Sequence, residues 1–222
     1  NYCESREREQ IMGQKVNPIS FRLQAHKNWD SRWFAQKKDF AKFLIEDDKI
    51  RKTIEKRFES RPTIDRIEIE RTENLITVSI HTAKAGVVIG RGGAGVQELK
   101  TQLEKMVSLP VRINIEEVRR PELSAKLVAE NIARQLERRI NFRRAVKMAL
   151  QNTMQAGAKG VRIEVAGRLN GAEMSRREKF SEGSVPLHTI RADINYHGAR
   201  SQTPAGIIGV KVWINKGERN DK

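Results

Sequence analysis

The chain has 222 residues, enough for one or two domains with real cores, and 43 lysines and arginines against 28 aspartates and glutamates give it a net charge of +15 and a pI near 10.2. Acidic residues would disperse a protein equally well, so a basic surplus of this size points to a polyanionic partner, nucleic acid first. No stretch approaches the ~18 apolar residues of a membrane span and no secretory leader pattern is found, while the only cysteine, Cys3, supports neither a disulfide framework nor a thiol metal site, so a reducing, cytosol-like compartment is expected.

Residues 1–11 are polar and without period. Met12-Gly13-Gln14-Lys15-Val16-Asn17-Pro18 reads as a true start, so the first eleven residues are expected to be a mis-assigned start or a cloning remnant. Residues 12–40 form a basic and aromatic arm, with Lys15, Arg22, His26, Lys27 and Arg32 interleaved with Phe21, Trp29, Trp33 and Phe34. Two readings of the arm stay open: a segment that lies against RNA and orders there, or one that packs its aromatics on its own domain. From Asp39, the residues Phe40, Phe43, Leu44, Ile50, Ile54 and Phe58 follow three- and four-residue steps, a helix that Pro62 is expected to end. Ile64–Arg71 alternates, Thr72-Glu73-Asn74 turns, and Ile76, Val78 and Ile80 alternate again, which predicts a hairpin.

Ala83–Ile89 is a short helix or strand. It leads into the glycine turn Gly90-Arg91-Gly92-Gly93-Ala94-Gly95, a helix over 94–107, and a strand with Val111, Ile113 and Ile115 on one face. The turn has two phosphate-handling readings. Gly90, Gly92 and Gly95 spell the dinucleotide fingerprint G-x-G-x-x-G, with Glu116 or Glu117 as ribose ligand, and so a cofactor-binding enzyme. Ile89 to Val96 also spells I-G-x-x-G-x-x-V, the clamp loop of a KH domain. The surrounding order of helix, strand, strand, short helix, turn, helix and strand resembles the type II KH arrangement. A doubly wound sheet needs further strand–helix alternation, and two consecutive helices follow instead. In the KH reading Gly90, Arg91, Gly92 and Gly93 press backbone against phosphates, the next helix adds amide donors, and Val88, Ile89 and Val96 offer bases an apolar floor.

After the basic link Arg119-Arg120-Pro121-Glu122, one helix is marked by Ala125, Val128, Ile132 and Leu136. A second is marked by Phe142, Val146, Ala149 and Leu150 and ends at Gly157. Arg143, Arg144 and Lys147 share one face of the second helix, and like charges at that spacing repel, so an anionic partner is expected there. The last third is strand-rich: Val161, Ile163 and Val165; a hairpin turn at Asn170-Gly171; an edge-like Met174–Phe180; Ile190 to Tyr196; and Ile208 to Ile214, which closes the sheet. Arg168, Arg176, Arg177, Lys179, Arg191 and Arg200 crowd its polar positions, as on an RNA-facing surface. His26, His81, His188 and His197 show no metal-ligand spacing, and neither G-x-S-x-G nor H-E-x-x-H occurs.

Met12–Pro18, the KH stretch, Gly157-Ala158-Lys159-Gly160, Gly167–Glu173, Val185–Asp193 and Gly209–Ile214 together resemble the bacterial-type small-subunit ribosomal protein three family, in the same order from Met12 to about Glu218. The resemblance implies an α+β chain: a type II KH domain (αββααβ) over 41–118, then an α+β domain of two helices and an antiparallel sheet over 119–218, with a polar tail over 219–222. It implies a place in the small-subunit head on 16S-type ribosomal RNA, beside other head proteins. Arg143, Arg144 and Lys147 fall on the family's Arg-Arg-x-x-Lys cluster, at the channel through which messenger RNA enters. Lys15 and Arg22 join Arg168, Arg176, Arg177, Lys179, Arg191 and Arg200 as candidate ribosomal-RNA contacts. No catalysis, cofactor, metal, membrane or small-molecule substrate is implied. The location is a cytoplasmic ribosome, with an organellar one left open, and the alternative is a free KH-type RNA chaperone.

Overall fold

The computed structural model describes residues 15–23, 25, 27–58, 63–107 and 109–218. The expectations for residues 1–11, for Met12–Gln14, for His26, for Pro62 as a helix stop and for the tail at 219–222 lie outside the described residues. Among the described residues no helix is long and apolar enough to cross a membrane.

The first half is built from α2 (Lys37–Phe58), β2 (Ile64–Arg71), β3 (Ile76–Thr82), α3 (Ala85–Ile89), α4 (Ala94–Met106) and β4 (Val111–Glu117). This is the αββααβ order of a type II KH domain. Strands β2 and β3 pair antiparallel and β3 and β4 parallel. The alternation in β2 and β3 puts Ile67, Ile69, Ile76, Val78 and Ile80 on one face, where Ile50 and Ile54 of α2 and Leu99 and Leu103 of α4 complete a buried core. Because Ala85–Ile89 is helical, the glycine turn is entered from a helix and not from a strand, and the dinucleotide reading of Gly90, Gly92 and Gly95 is overturned.

The second half follows a single turn of 3-10 helix at Pro121–Leu123: α5 (Ala125–Glu137), α6 (Phe142–Gln155), β5 (Gly160–Gly167), β6 (Arg176–Gly183), β7 (Ala192–Thr203) and β8 (Gly206–Glu218). The sheet is antiparallel in the order β6-β5-β8-β7, so the last strand in sequence is an interior one. Ala129, Ile132 and Leu136 of α5 and Phe142, Val146 and Leu150 of α6 cover Val161, Ile163, Val165, Val210 and Val212 on one face of that sheet. Asn170-Gly171 does not make a two-residue hairpin. Leu169 is fully buried and Arg168 Nε donates to Ala172 O at 2.8 Å, so the left-handed residue Asn170 (φ 56°) turns a longer anchored loop between β5 and β6.

The arm packs on the chain mainly through Arg22, Lys27 and Trp33, while Phe21, Trp29 and Phe34 stay exposed, so packing of its aromatics holds for Trp33 alone. Asn17 caps a four-residue helix α1 (Pro18–Phe21), its Oδ1 accepting from Ile19 N at 2.9 Å. Arg22 then enters the second half fully buried. It donates to the carbonyls of Ala192 (2.7 Å), Thr189 (2.9 Å), Leu187 (3.0 Å), Pro18 (3.1 Å) and Pro186 (3.4 Å). Lys27 Nζ donates to Ile194 O at 3.1 Å, and burial pushes this amine below its ordinary pKa. A few residues on, β1 (Ser31–Arg32) adds a parallel strand to β2, and Trp33 Nε1 donates to Asp47 Oδ2 of α2 at 2.8 Å while its ring meets Phe40 and Phe43. The arm is therefore a strap with one end on each half. Two further contacts join the halves: Ser124 Oγ, the cap of α5, donates to Asp65 of β2, and Lys126 Nζ lies 3.2 Å from Glu55 of α2.

Candidate nucleic-acid interface

The glycines of the clamp loop do two different jobs. Gly90, Gly92 and Gly93 take φ of 72°, 61° and 82°, a region that side chains rarely adopt. A Cβ on Gly92 or Gly93 would meet open space, whereas one on Gly95 would sit 2.8 Å from Val88 O and 3.0 Å from Ile89 O. Gly95 thus lets α4 start hard against the backbone of α3, and Gly92 and Gly93 leave the loop's outer side bare. Gly95→Ala is expected to force that junction apart and lose about 1–3 kcal/mol of stability, read by urea unfolding of the first half. Arg91 is exposed, and no ion pair holds it among the described residues. Ile89 is 39% exposed beside it, but Val88 is buried in the protein and cannot floor a base.

On α6, Asn141 Oδ1 accepts from Arg143 N at 3.0 Å, and the helix has no acid in its first turn. Arg143 and Arg144 occupy that turn instead, against the helix dipole, with Lys147 one turn on. All three are exposed. Arg143 lies 3.5 Å from Glu178 and over the ring of Phe142. Arg144 and Lys147 have no ion pair or hydrogen bond among the described residues.

The pleat divides the basic residues that the sequence groups on β6. Arg176 points to the helix side, where its Nε lies 3.0 Å from Glu178 and its guanidinium over Phe142, beside Arg143. Arg177 points to the opposite face, 3.0 Å from Glu164. Glu164 is buried and also draws Arg162 (3.8 Å) and Lys15 (3.9 Å), both of which lie over the ring of Trp213. Lys179 and Lys211, the cross-strand neighbours of Glu164, are on the same face and exposed. Sequence reasoning missed Arg162 and Lys211, although their places among the polar positions of β5 and β8 were readable signals.

Three other candidates separate. Arg168 is committed to loop carbonyls, donating to Ala172 O and to Ala205 O at 3.1 Å. Arg191 is exposed ahead of β7. Arg200 opens on a groove of about 700 Å³ between the two halves, which mixes Lys52, Lys126 and Arg200 with Glu55, Glu130 and Glu137. Burial there pushes the Glu130 carboxyl up and the His197 imidazole down from their ordinary values. Arg22 leaves the set of RNA contacts altogether, because it is fully buried and each of its three nitrogens already donates to carbonyls of this chain.

Two family profiles match: the KH domain over residues 49–123, and the ribosomal protein S3 C-terminal domain over residues 132–214. The chain is 54% identical over 208 residues to the small ribosomal subunit protein uS3 of Alkaliphilus metalliredigens, covering 93% of this chain and 88% of that protein. It is 56% identical to the uS3 of Desulforamulus reducens, covering 93% of each, and 54% identical to that of Coxiella burnetii, covering 93% of this chain and 91% of that protein. A KH fold joined to this C-terminal domain, with similarity over nearly the whole chain, makes it a member of the small ribosomal subunit protein uS3 family, which is not a family of enzymes.

Proposed function

We propose that the chain is a structural constituent of the small ribosomal subunit head, that it binds 16S-type ribosomal RNA beside neighbouring head proteins, and that it meets incoming messenger RNA along α6. The family supplies the particle. The observation that carries the message contact is the first turn and a half of α6: three exposed cations, two of them placed against the helix dipole, with Glu178 as the one carboxylate paired to any of them among the described residues. Such a face gains most from a phosphate backbone. The Glu164 face, with Lys15, Arg162 and Arg177 gathered around Glu164 and Lys179 beside it, is assigned to ribosomal RNA, as are Arg191 and Arg200. The clamp loop Gly90–Gly93 keeps the open backbone and free Arg91 that a nucleic-acid strand requires.

Co-sedimentation with small subunits tests the particle assignment; a free RNA chaperone stays at the top of the gradient. The message contact is tested by replacing Arg143, Arg144 and Lys147 together with alanine. At ~0.7 counterions released per phosphate contact on single strands, the loss of three contacts makes the log–log salt dependence of single-strand binding shallower by about 2. Subunits carrying the triple variant are expected to assemble and to translate hairpin-containing messages poorly. An unchanged salt slope with unchanged translation of hairpin messages refutes the contact.

A further inference from the structure

A second cavity, of about 470 Å³, opens beside the basic end of α6, between the α5–α6 turn, the 168–171 turn and the hairpin joining β7 to β8. Its floor is apolar, with Leu136, Phe142 and Ile208 buried and Ile140 at the rim, 38% exposed. Arg139 and Arg168 are its charged members and no carboxylate lines it, in contrast to the mixed groove between the two halves. The acid next in sequence, Glu137, is turned away to accept from Gln202 N at 3.2 Å.

The arginines are placed differently. Arg168 is held at two points, donating to Ala172 O at 2.8 Å and to Ala205 O, on the cavity wall, at 3.1 Å, so the plane of its guanidinium is preset rather than free to swing to a distant phosphate. Arg139 takes a left-handed φ of 61° just past the end of α5, where helices ordinarily use glycine. Asn170, also at the cavity, has φ 56°; these are the two non-glycine residues with positive φ among the described residues.

We propose that this slot takes one unstacked nucleobase of single-stranded message whose phosphates run along Arg139, Arg143 and Arg144. A base is a flat apolar body with polar edges, and RNA-binding proteins recognise splayed bases by stacking them on guanidinium planes and hydrogen-bonding their edges. The slot supplies the preset plane of Arg168, an apolar floor, and Asn170 at the rim; its volume is in the range of ligand pockets. An apolar side chain of a protein partner would fill the floor equally but would bring neither a negative charge to Arg139 nor a flat face to the guanidinium of Arg168, so the lining favours RNA. The proposal rests on the reading of α6 as a message contact.

The test compares binding of the full-length chain to a uridine pentamer and to an abasic oligomer with the same number of phosphates. The base-bearing oligomer is expected to bind about tenfold more tightly. Ala205→Trp, which fills the slot, and Ile140→Glu, which puts a carboxylate on its rim, are each expected to erase that preference while leaving binding of the abasic oligomer in place for Ala205→Trp. Equal binding of both oligomers to the unmodified chain, or a preference that survives both substitutions, overturns the slot and leaves the basic face standing. Binding of neither overturns both. In assembled subunits, 4-thiouridine in the message is expected to cross-link to peptides containing residues 139–143 or 203–208. Cross-links to these peptides from labelled ribosomal RNA alone overturn the assignment to message.

Discussion

Arg22→Met is expected to destabilise the second half of the chain by about 3 kcal/mol, seen as an earlier transition in urea and a melting temperature lower by about 12–24 °C if that half unfolds as its own unit of about 100 residues. Two of the five hydrogen bonds, to Ala192 O and Pro18 O, are buried at both ends. Hydrogen bonds to charged groups are worth roughly 1.5–3 kcal/mol each, so these two alone give ~3–6 kcal/mol. Methionine avoids the desolvation of the guanidinium, which brings the loss toward the lower end. Lysine keeps the charge but lacks the planar fork, so Arg22→Lys is expected to recover only part of the loss. If Arg22 served RNA instead, Arg22→Met would weaken RNA binding and leave the unfolding curve where it was.

Arg71→Met is expected to have a comparable or larger effect in the first half, about 3–5 kcal/mol. The Arg71 side chain is 4% exposed and faces Asp47 at 2.6 Å and Glu46 at 2.8 Å, with its guanidinium over the ring of Phe43. Removing the cation strands two buried carboxylates. The triple variant Arg71→Met with Glu46→Gln and Asp47→Asn removes their charge and is expected to recover most of the stability, since the loss comes from uncompensated charge rather than from a missing attraction. Failure of the triple variant to recover stability would assign the effect of Arg71 to packing on Phe43.

What was legible in the sequence was whatever a local period encodes. Ile64–Arg71 and Ile76–Thr82 alternate because one face of each strand is buried, and α5 and α6 carry unbroken apolar stripes for the same reason. Strand β1 has two residues and owes its existence to β2, with Ile69 N donating to Asp30 O at 2.8 Å, so no period announces it. Asn170-Gly171 encodes a turn, and a turn forms there, but the two-residue hairpin that the pair implies loses to the burial of Leu169. Positive charge marks every candidate RNA contact alike, and charge alone cannot distinguish Arg144, which is exposed, from Arg22, four of whose five acceptors lie 164–170 residues further along the chain. The pleat that divides Arg176 from Arg177 is a property of register with β5 and was available only once that pairing was known.

That separation of Arg22 from its acceptors has a consequence for how the protein is made. At roughly 5–20 residues per second, synthesis reaches residues 186–192 on the order of 8–30 s after Arg22 is added. Through that interval the KH half can complete its core, since every strand and helix of it precedes residue 118. Arg22 meanwhile stays hydrated, with no carbonyl of the second half to receive it. The strap therefore closes in two stages: a product truncated before Val185 is expected to keep Ser31–Trp33 docked on a folded KH half while Arg22 and Lys27 lack their acceptors, and a protease that cuts near Arg22 and Lys27 is expected to distinguish it from the finished chain.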